Sequence, residues 1–349
     1  MSVTDFDQRR NKILELTIDA YVVTASPVGS ELVSRKLRSS LSPATIRNVM
    51  VELEDAGFLE QPHTSAGRIP TDRGYRFYVD SVMDARHASP EELRQIERLI
   101  QPQEPDIDQL LERASAVLSE LSQQAAFAMA PSLKQGTVKQ IELVPLSVRK
   151  VLCVLVANEE MVVSHIVEIE EPMTRDEAAS LTRFVSTELV GLSFSELLES
   201  LERRMLARND SFYHLVKRSL SILQHALSTE SSERLFLDGE SYIVSQPEFS
   251  RNPRRTHELL KGLNEEHALL ARLRQDLLPD GVRVRIGREV QVPGLDECST
   301  LTAPVAIGGE VIGGVGILGP KRMDYPRMRS LVEAMGRCAT GLLTRWDER

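Results

Sequence analysis

A single capped helix constrains this chain more than any other feature. Ser42-Pro43 places a capping hydroxyl ahead of a proline whose fixed φ suits a first helical position, and Gly57 stands where such a helix would stop. Between them Ile46, Val49, Met50 and Leu53 recur at helical spacing and make one apolar face. So short a helix is stable only when that face is covered. Two neighbours are at hand. Ile13, Leu14, Thr17, Ile18 and Tyr21 follow the same period, and Ser26-Pro27-Val28-Gly29 breaks that pattern. Ser30 can cap a short helix containing Leu32, Val33 and Leu37.

The capped helix has a second face, formed by Ala44, Arg47, Asn48 and Val51, with Thr45 beside it in the first turn. These residue types suit a DNA groove. Arginine bonds O6 and N7 of guanine, asparagine bonds adenine, and alanine or threonine methyls meet the thymine methyl. From Arg35 to Asn48 the chain carries Arg35, Lys36, Arg38 and Arg47 and no acid, although its net charge is −9. Residues 58–70 then read as a hairpin. Its tip, His63-Thr64-Ser65-Ala66-Gly67-Arg68, offers hydroxyls, a glycine and an arginine suited to phosphate or the minor groove. The pattern predicts a winged helix-turn-helix whose second paired helix enters the major groove. Ala44, Thr45, Arg47 and Asn48 are expected to read bases. Arg38, Ser42, His63, Thr64, Ser65 and Arg68 are expected to hold phosphate or the minor groove. The alternative is the same fold used for protein contacts.

Residues 1–85 are expected to form this domain, and 86–107 a linker helix opened by Ser89-Pro90-Glu91-Glu92 and broken by the proline-rich stretch 101–105. A helix is expected over 108–126, then a three-stranded meander at 138–144, 148–156 and 161–169, then a helix over 174–189 with Thr174 and Glu177 as a capping box. Two helices follow near 194–206 and 211–227, and a strand pair near 235–237 and 242–244. One charged helix over 254–278, a strand at 282–286, a hairpin of 300–307 with 310–318 about Gly308-Gly309 and a closing helix over 325–343 complete the chain. The reading is a multidomain α+β protein. An α+β domain of 108–190 and 251–349 would be interrupted by a mainly helical insert at 191–250.

Composition narrows the functional classes. The 349 residues allow two or three domains, and 51 acidic against 42 basic residues exclude a generally basic nucleic-acid coat. No signal peptide is expected from the acidic start, and the longest apolar run, 151–157, falls far short of the ~20 residues of a membrane helix. A cytoplasmic location without membrane contact is expected. Cys153, Cys298 and Cys338 are too far apart for a metal or redox pair, and the seven histidines lack metal-ligand spacing. Gly314-Val315-Gly316-Ile317-Leu318-Gly319 fits G-x-G-x-x-G, but the glycines sit inside a strand pattern with Pro320 after them, so a packed strand is expected. Arg251-Asn252-Pro253-Arg254-Arg255 reads as a solvated helix start. No enzyme, cofactor or metal site is expected.

Three strings add a family resemblance: residues 41–48, residues 53–59, and Pro62-His63-Thr64-Ser65-Ala66-Gly67-Arg68-Ile69-Pro70-Thr71-Asp72-Arg73-Gly74-Tyr75-Arg76. They resemble HrcA, the bacterial heat-inducible transcription repressors. The likeness continues through residues 235–239, 246–249, 298–304 and 319–325. The resemblance implies a homodimer on double-stranded DNA at an inverted-repeat operator, CIRCE, ahead of chaperone operons of the groE and dnaK type. It implies repression relieved by heat and promoted by a GroEL-type chaperonin. It also implies that the α+β domain is GAF-like and that the 191–250 insert is a dimerisation domain. A transcription factor gated by a small molecule in the GAF-like pocket is the alternative.

Overall fold

A computed structural model describes residues 3–37, 41–83, 87–101, 106–129, 138–157, 161–169, 172–188, 234–277, 281–307 and 309–347, with isolated positions between 189 and 233. The helices expected near 194–206 and 211–227 lie outside the described residues. The chain mixes helix and strand. Its contacts divide it into one compact unit of 1–130 with 235–346, and a second of 131–234 with the last three residues.

In the first unit, helices α1 (Val3–Thr24), α2 (Ser30–Leu37) and α3 (Pro43–Asp55) precede a short hairpin of β1 (Leu59–Glu60) and β2 (Ile69–Pro70). α3 forms for the reasons its sequence gives. The Ser42 hydroxyl accepts from the Thr45 N–H at 3.1 Å, and Pro43 occupies the first turn. Gly57 ends the helix at φ +77°, with its N–H bonded to the Glu54 carbonyl and that of Phe58 to Leu53. Ile46, Val49, Met50 and Leu53 are buried with Ile13, Leu14, Ile18 and Val33. Cutting one such side chain back to alanine costs ~2–5 kcal/mol. α4 (Asp72–Phe77), capped by Thr71, continues into one wider helical turn, Tyr78–Val82.

After α5 (Pro90–Leu99) and α6 (Ile107–Ser122) comes β3 (Ala125–Met129), the second strand of a five-stranded antiparallel sheet. The sheet order is β7 (Leu235–Asp238), β3, β10 (Glu310–Pro320), β9 (Cys298–Ile307) and β8 (Arg283–Ile286). One face packs on α6 and the closing helix α12 (Tyr325–Asp347). The other packs on α8 (Glu240–Val244), α9 (Pro247–Ser250), α10 (Pro253–Asn264) and α11 (Glu266–Gln275). The first face belongs to the same buried cluster as α1–α3, so the N-terminal helices and the sheet share a continuous core.

The second unit holds a three-stranded meander of β4 (Val138–Ser147), β5 (Lys150–Ala157) and β6 (Met161–Glu168), with α7 (Arg175–Glu188). The expected Thr174–Glu177 capping box is present, with reciprocal bonds of 2.8 and 3.3 Å.

Three expectations are corrected. Residues 125 and 126, expected to close a helix, begin β3. Every residue of that strand is buried because helices cover both faces, so no alternation marks it. Residues 242–244, expected as a strand, belong to α8, which turns out of β7 through the left-handed Gly239 at φ +74°. The helix expected over 254–278 is two helices broken at Glu265. β3 and β7 pair within the five-stranded sheet, and among the described residues β4–β6 pair only with one another.

Candidate nucleic-acid interface

The buried stripe of α3 decides what its other side presents. Ala44, Arg47 and Asn48 are exposed, Val51 is 38 % exposed, and Thr45 is half-buried. The Ser42 hydroxyl lies 3.0 Å from the Thr45 hydroxyl, so Ser42 fixes the first turn and the rotamer of Thr45 together. The structure thus brings Ala44, Arg47 and Asn48 onto one solvent-facing surface, with Thr45 at its edge. Arg38 lies outside the described residues.

The hairpin loop is tied by its backbone to the turn between α1 and α2. Val28 and Arg68 exchange N–H to carbonyl bonds, both at 2.9 Å. A Cβ on Gly67 would sit 2.4 Å from the carbonyl carbon of Val28, so only glycine allows that approach. Gln61 ties the loop by donating to the carbonyls of Thr64 and Ala66 at 3.2 and 2.8 Å. His63, Thr64 and Ser65 are exposed at its tip. Arg68 is placed differently. Its side chain is 11 % exposed, and its Nε donates to Oε2 of Glu54 at 3.0 Å. The guanidinium therefore joins the loop to the end of α3. The exposed Arg73 lies over the Phe58 ring, 5.0 Å from its centroid, at the base of the hairpin.

Sequence reasoning missed a set of contacts behind this surface. Asp72, Tyr75 and Arg76 occupy one side of α4. Arg76 pairs with Glu289 and donates to the Val284 carbonyl at 2.7 Å. Asp72 pairs with Lys321 at 2.9 Å, and Lys321 also reaches Glu297 at 3.3 Å. Burial alone would lower the Lys321 ammonium, but its bond to Asp72 and the Glu297 charge raise it. Arg322 pairs with Glu248 and donates to the Val22 carbonyl at the end of α1. The buried rings of Tyr75 and Tyr325 lie 5.8 Å apart. The signal was in the string Asp72-Arg73-Gly74-Tyr75-Arg76, whose acid, aromatic and base fall on one helical face. These contacts fix the angle at which α1–α4 and the hairpin leave the five-stranded sheet.

A cleft beside this junction is lined by Asp72, Asn252, Arg254, Arg288, Glu297 and Lys321 among others. Its charges largely pair internally, with Arg254 on Glu258 at 2.9 Å as well as the Lys321 pairs. Among the described residues no group of three or more His, Cys, Asp or Glu side chains could hold a metal ion. The six-residue glycine motif falls inside β10, as a packed strand and not a nucleotide loop. Among the described residues no helix is long and apolar enough to cross a membrane.

A family model described as "HrcA protein C terminal domain" matches residues 108–328. The heat-inducible transcription repressor HrcA of Symbiobacterium thermophilum is 36 % identical over 333 residues, covering 94 % of this chain and 96 % of that protein. The protein of the same name from Moorella thermoacetica is 35 % identical, with 98 % of each covered. A crystal structure of a protein described as hypothetical superposes with a TM-score of 0.60 at 22 % identity, over 97 % of this chain and 98 % of that one, a likeness of fold.

Proposed function

Because this chain belongs to the HrcA family of heat-inducible transcription repressors, and so is a negative regulator of transcription, we propose that it acts as a homodimer on the CIRCE inverted repeat. Residues 3–83 serve as a winged helix-turn-helix, with α3 as the recognition helix and the hairpin as the wing. The observation that carries this reading is the two-sided character of α3: a buried apolar stripe opposite exposed Ala44, Arg47 and Asn48. Arg47 reads guanine, Asn48 reads adenine, and Ala44 and Thr45 supply methyl contacts. Ser42 positions Thr45. Arg38, His63, Thr64 and Ser65 reach phosphate or the minor groove, and Arg68 contributes by holding the wing to Glu54.

The five-stranded sheet with its two helical layers is our candidate for the GAF-like domain, and residues 131–234 for the dimerisation insert. Heat would loosen the core shared by the sheet and α1–α3, and with it the spacing of two recognition helices on a palindrome. A GroEL-type chaperonin would restore the competent dimer. The protein would act in the cytoplasm on chaperone operons, without a cofactor.

Titration of purified protein on a CIRCE duplex and a scrambled duplex at fixed salt, with and without chaperonin, tests this reading. A preference of ~10³-fold or more for the repeat, increased by chaperonin, is expected. Equal weak binding to both duplexes would overturn it. Purified dimer that released DNA on warming with oligomer and fold unchanged would overturn the heat mechanism. Gating by a small molecule in the GAF-like pocket is the second reading. A thermal-shift screen separates the two, because a ligand that binds the native state raises the midpoint.

A further inference from the structure

Four large apolar residues of α3 are buried, and a fifth is not. Val51 is 38 % exposed and stands three residues past Asn48 and four past Arg47, on the face they occupy. Only one other large hydrophobic residue is this exposed among the described residues of the first 130, Val23. Nothing in the fold asks for valine at this position. It does not pack on the core, and a β-branched side chain is a poorer helix former than alanine. Its side chain is therefore available for a contact outside the chain.

Charge along α3 limits what that contact can be. The first half carries Arg47 and no acid, while Glu52, Glu54 and Asp55 fill the last turn. Glu52 and Asp55 are exposed, and only Glu54 among these three is neutralised within the hairpin unit, by Arg68. A phosphate backbone attracts the first half and repels the last turn, so the helix enters a groove by its N-terminal end. Val51 is then the last residue of that face before the acids begin. In the major groove the one apolar group on a base edge is the thymine 5-methyl. From Arg47 to Val51 the helix rises ~6 Å, about two base-pair steps.

We propose that Val51 is a specificity-determining residue that reads the 5-methyl group of one thymine, about two base pairs from the pair read by Arg47. The proposal rests on the operator-binding reading above. Its test uses the full-length protein and CIRCE duplexes in which each thymine of one half-site is replaced in turn by deoxyuridine, which removes the methyl and leaves every hydrogen-bonding atom.

Wild-type protein is expected to lose affinity several-fold at a thymine about two base pairs from the pair read by Arg47, separate from any thymine met by Ala44 or Thr45. V51A should bind the thymine and deoxyuridine duplexes equally, at the wild-type affinity for the deoxyuridine duplex. V51A should fold normally, because alanine suits an exposed helical site, and circular dichroism checks that it does. R47A is the control and should keep its sensitivity to the same methyl. A wild-type protein indifferent to every deoxyuridine, or a V51A protein still sensitive to the same one, overturns the assignment to Val51 while leaving operator binding intact. Loss of all preference for CIRCE over a scrambled duplex in the wild-type protein would overturn the operator reading itself.

Discussion

The guanidinium of Arg68 closes on one carboxylate oxygen of Glu54, Nε at 3.0 Å and a terminal nitrogen at 2.8 Å, fourteen residues apart in sequence. The Glu54 side chain is 31 % exposed and that of Arg68 only 11 %, so each shields the other from solvent. Removing one partner leaves the second partly buried without its bond, at a cost of about 1–3 kcal/mol. Arg68→Ala and Glu54→Gln should therefore lower the unfolding free energy by similar amounts, and the double variant by much less than their sum. Chemical denaturation of the four proteins measures this. In DNA titrations Arg68→Ala should change the salt slope by well under the roughly one ion that a lost phosphate contact removes. A full one-ion change with stability intact would return Arg68 to the phosphate backbone.

Arg47 has the opposite character. It is exposed, and its neighbours on the outer face of α3 are short. Arg47→Ala should leave stability nearly unchanged, cost ~1–3 kcal/mol of operator affinity and relax the preference at one base pair. Binding measured on a set of single-base operator variants checks it. Equal losses on operator and random DNA would contradict a base-reading role.

Arg322 holds three elements at once: the end of α1 through the Val22 carbonyl, Gln246 before α9 at 3.0 Å, and Glu248 within α9. The side chains of Arg322 and Glu248 are 12 % and 15 % exposed, so breaking the pair strands a largely buried charge. Arg322→Ala should cost about 3 kcal/mol. It should also raise amide exchange in α1 ahead of exchange in β9 and β10. Hydrogen exchange with mass readout distinguishes this from a uniform loss of protection, which would mean that Arg322 does not govern the N-terminal helices in particular.

The three thiols predict an alkaline limit. Burial raises all of them: Cys153 is pushed up to about 12, Cys298 moves in the same direction, and Cys338 is raised too, with Glu97 adding to it. An unfolded cysteine ionises at ~8.5. Above that pH the unfolded chain has lost protons that the folded chain keeps. Stability attached to these groups is thus fully present below ~8.5 and falls as pH rises through 9 and 10. Melting temperature measured from pH 7 to 10 should decline over that window, and less so in a variant with Cys153 and Cys298 replaced by alanine once its lower baseline is subtracted. With a thiol reagent at pH 8, the half-buried Cys338 should label first and the two buried cysteines only on unfolding.

What could be read from sequence followed the range of the interactions involved. α3 was legible because its cap, its stop and its apolar period are all local, and the residues of its outer face follow once the inner face is known. β3 was hidden because helices bury both of its faces, which erases the period of two. The Tyr242-Ile243-Val244 run looked like strand by composition, but its conformation is set by Gly239 and by burial of Ile243 against the sheet. Arg68 was recognised as a cation and not as the partner of Glu54. Arg76 and Glu289 meet across 213 residues, a distance at which no periodicity or capping signal operates.

The continuous core has a further consequence, for modularity. Tyr75, Tyr78 and Val79 at the end of the N-terminal segment are buried in the same cluster as Tyr325, Met328 and Leu331 of the closing helix. A fragment cut near residue 85 would carry those rings into solvent, and the remainder would lose the matching lid. The N-terminal segment is thus not a cassette that can be excised or exchanged between relatives on its own. A transplant would need Tyr75, Tyr78 and their counterparts on α12 to travel together.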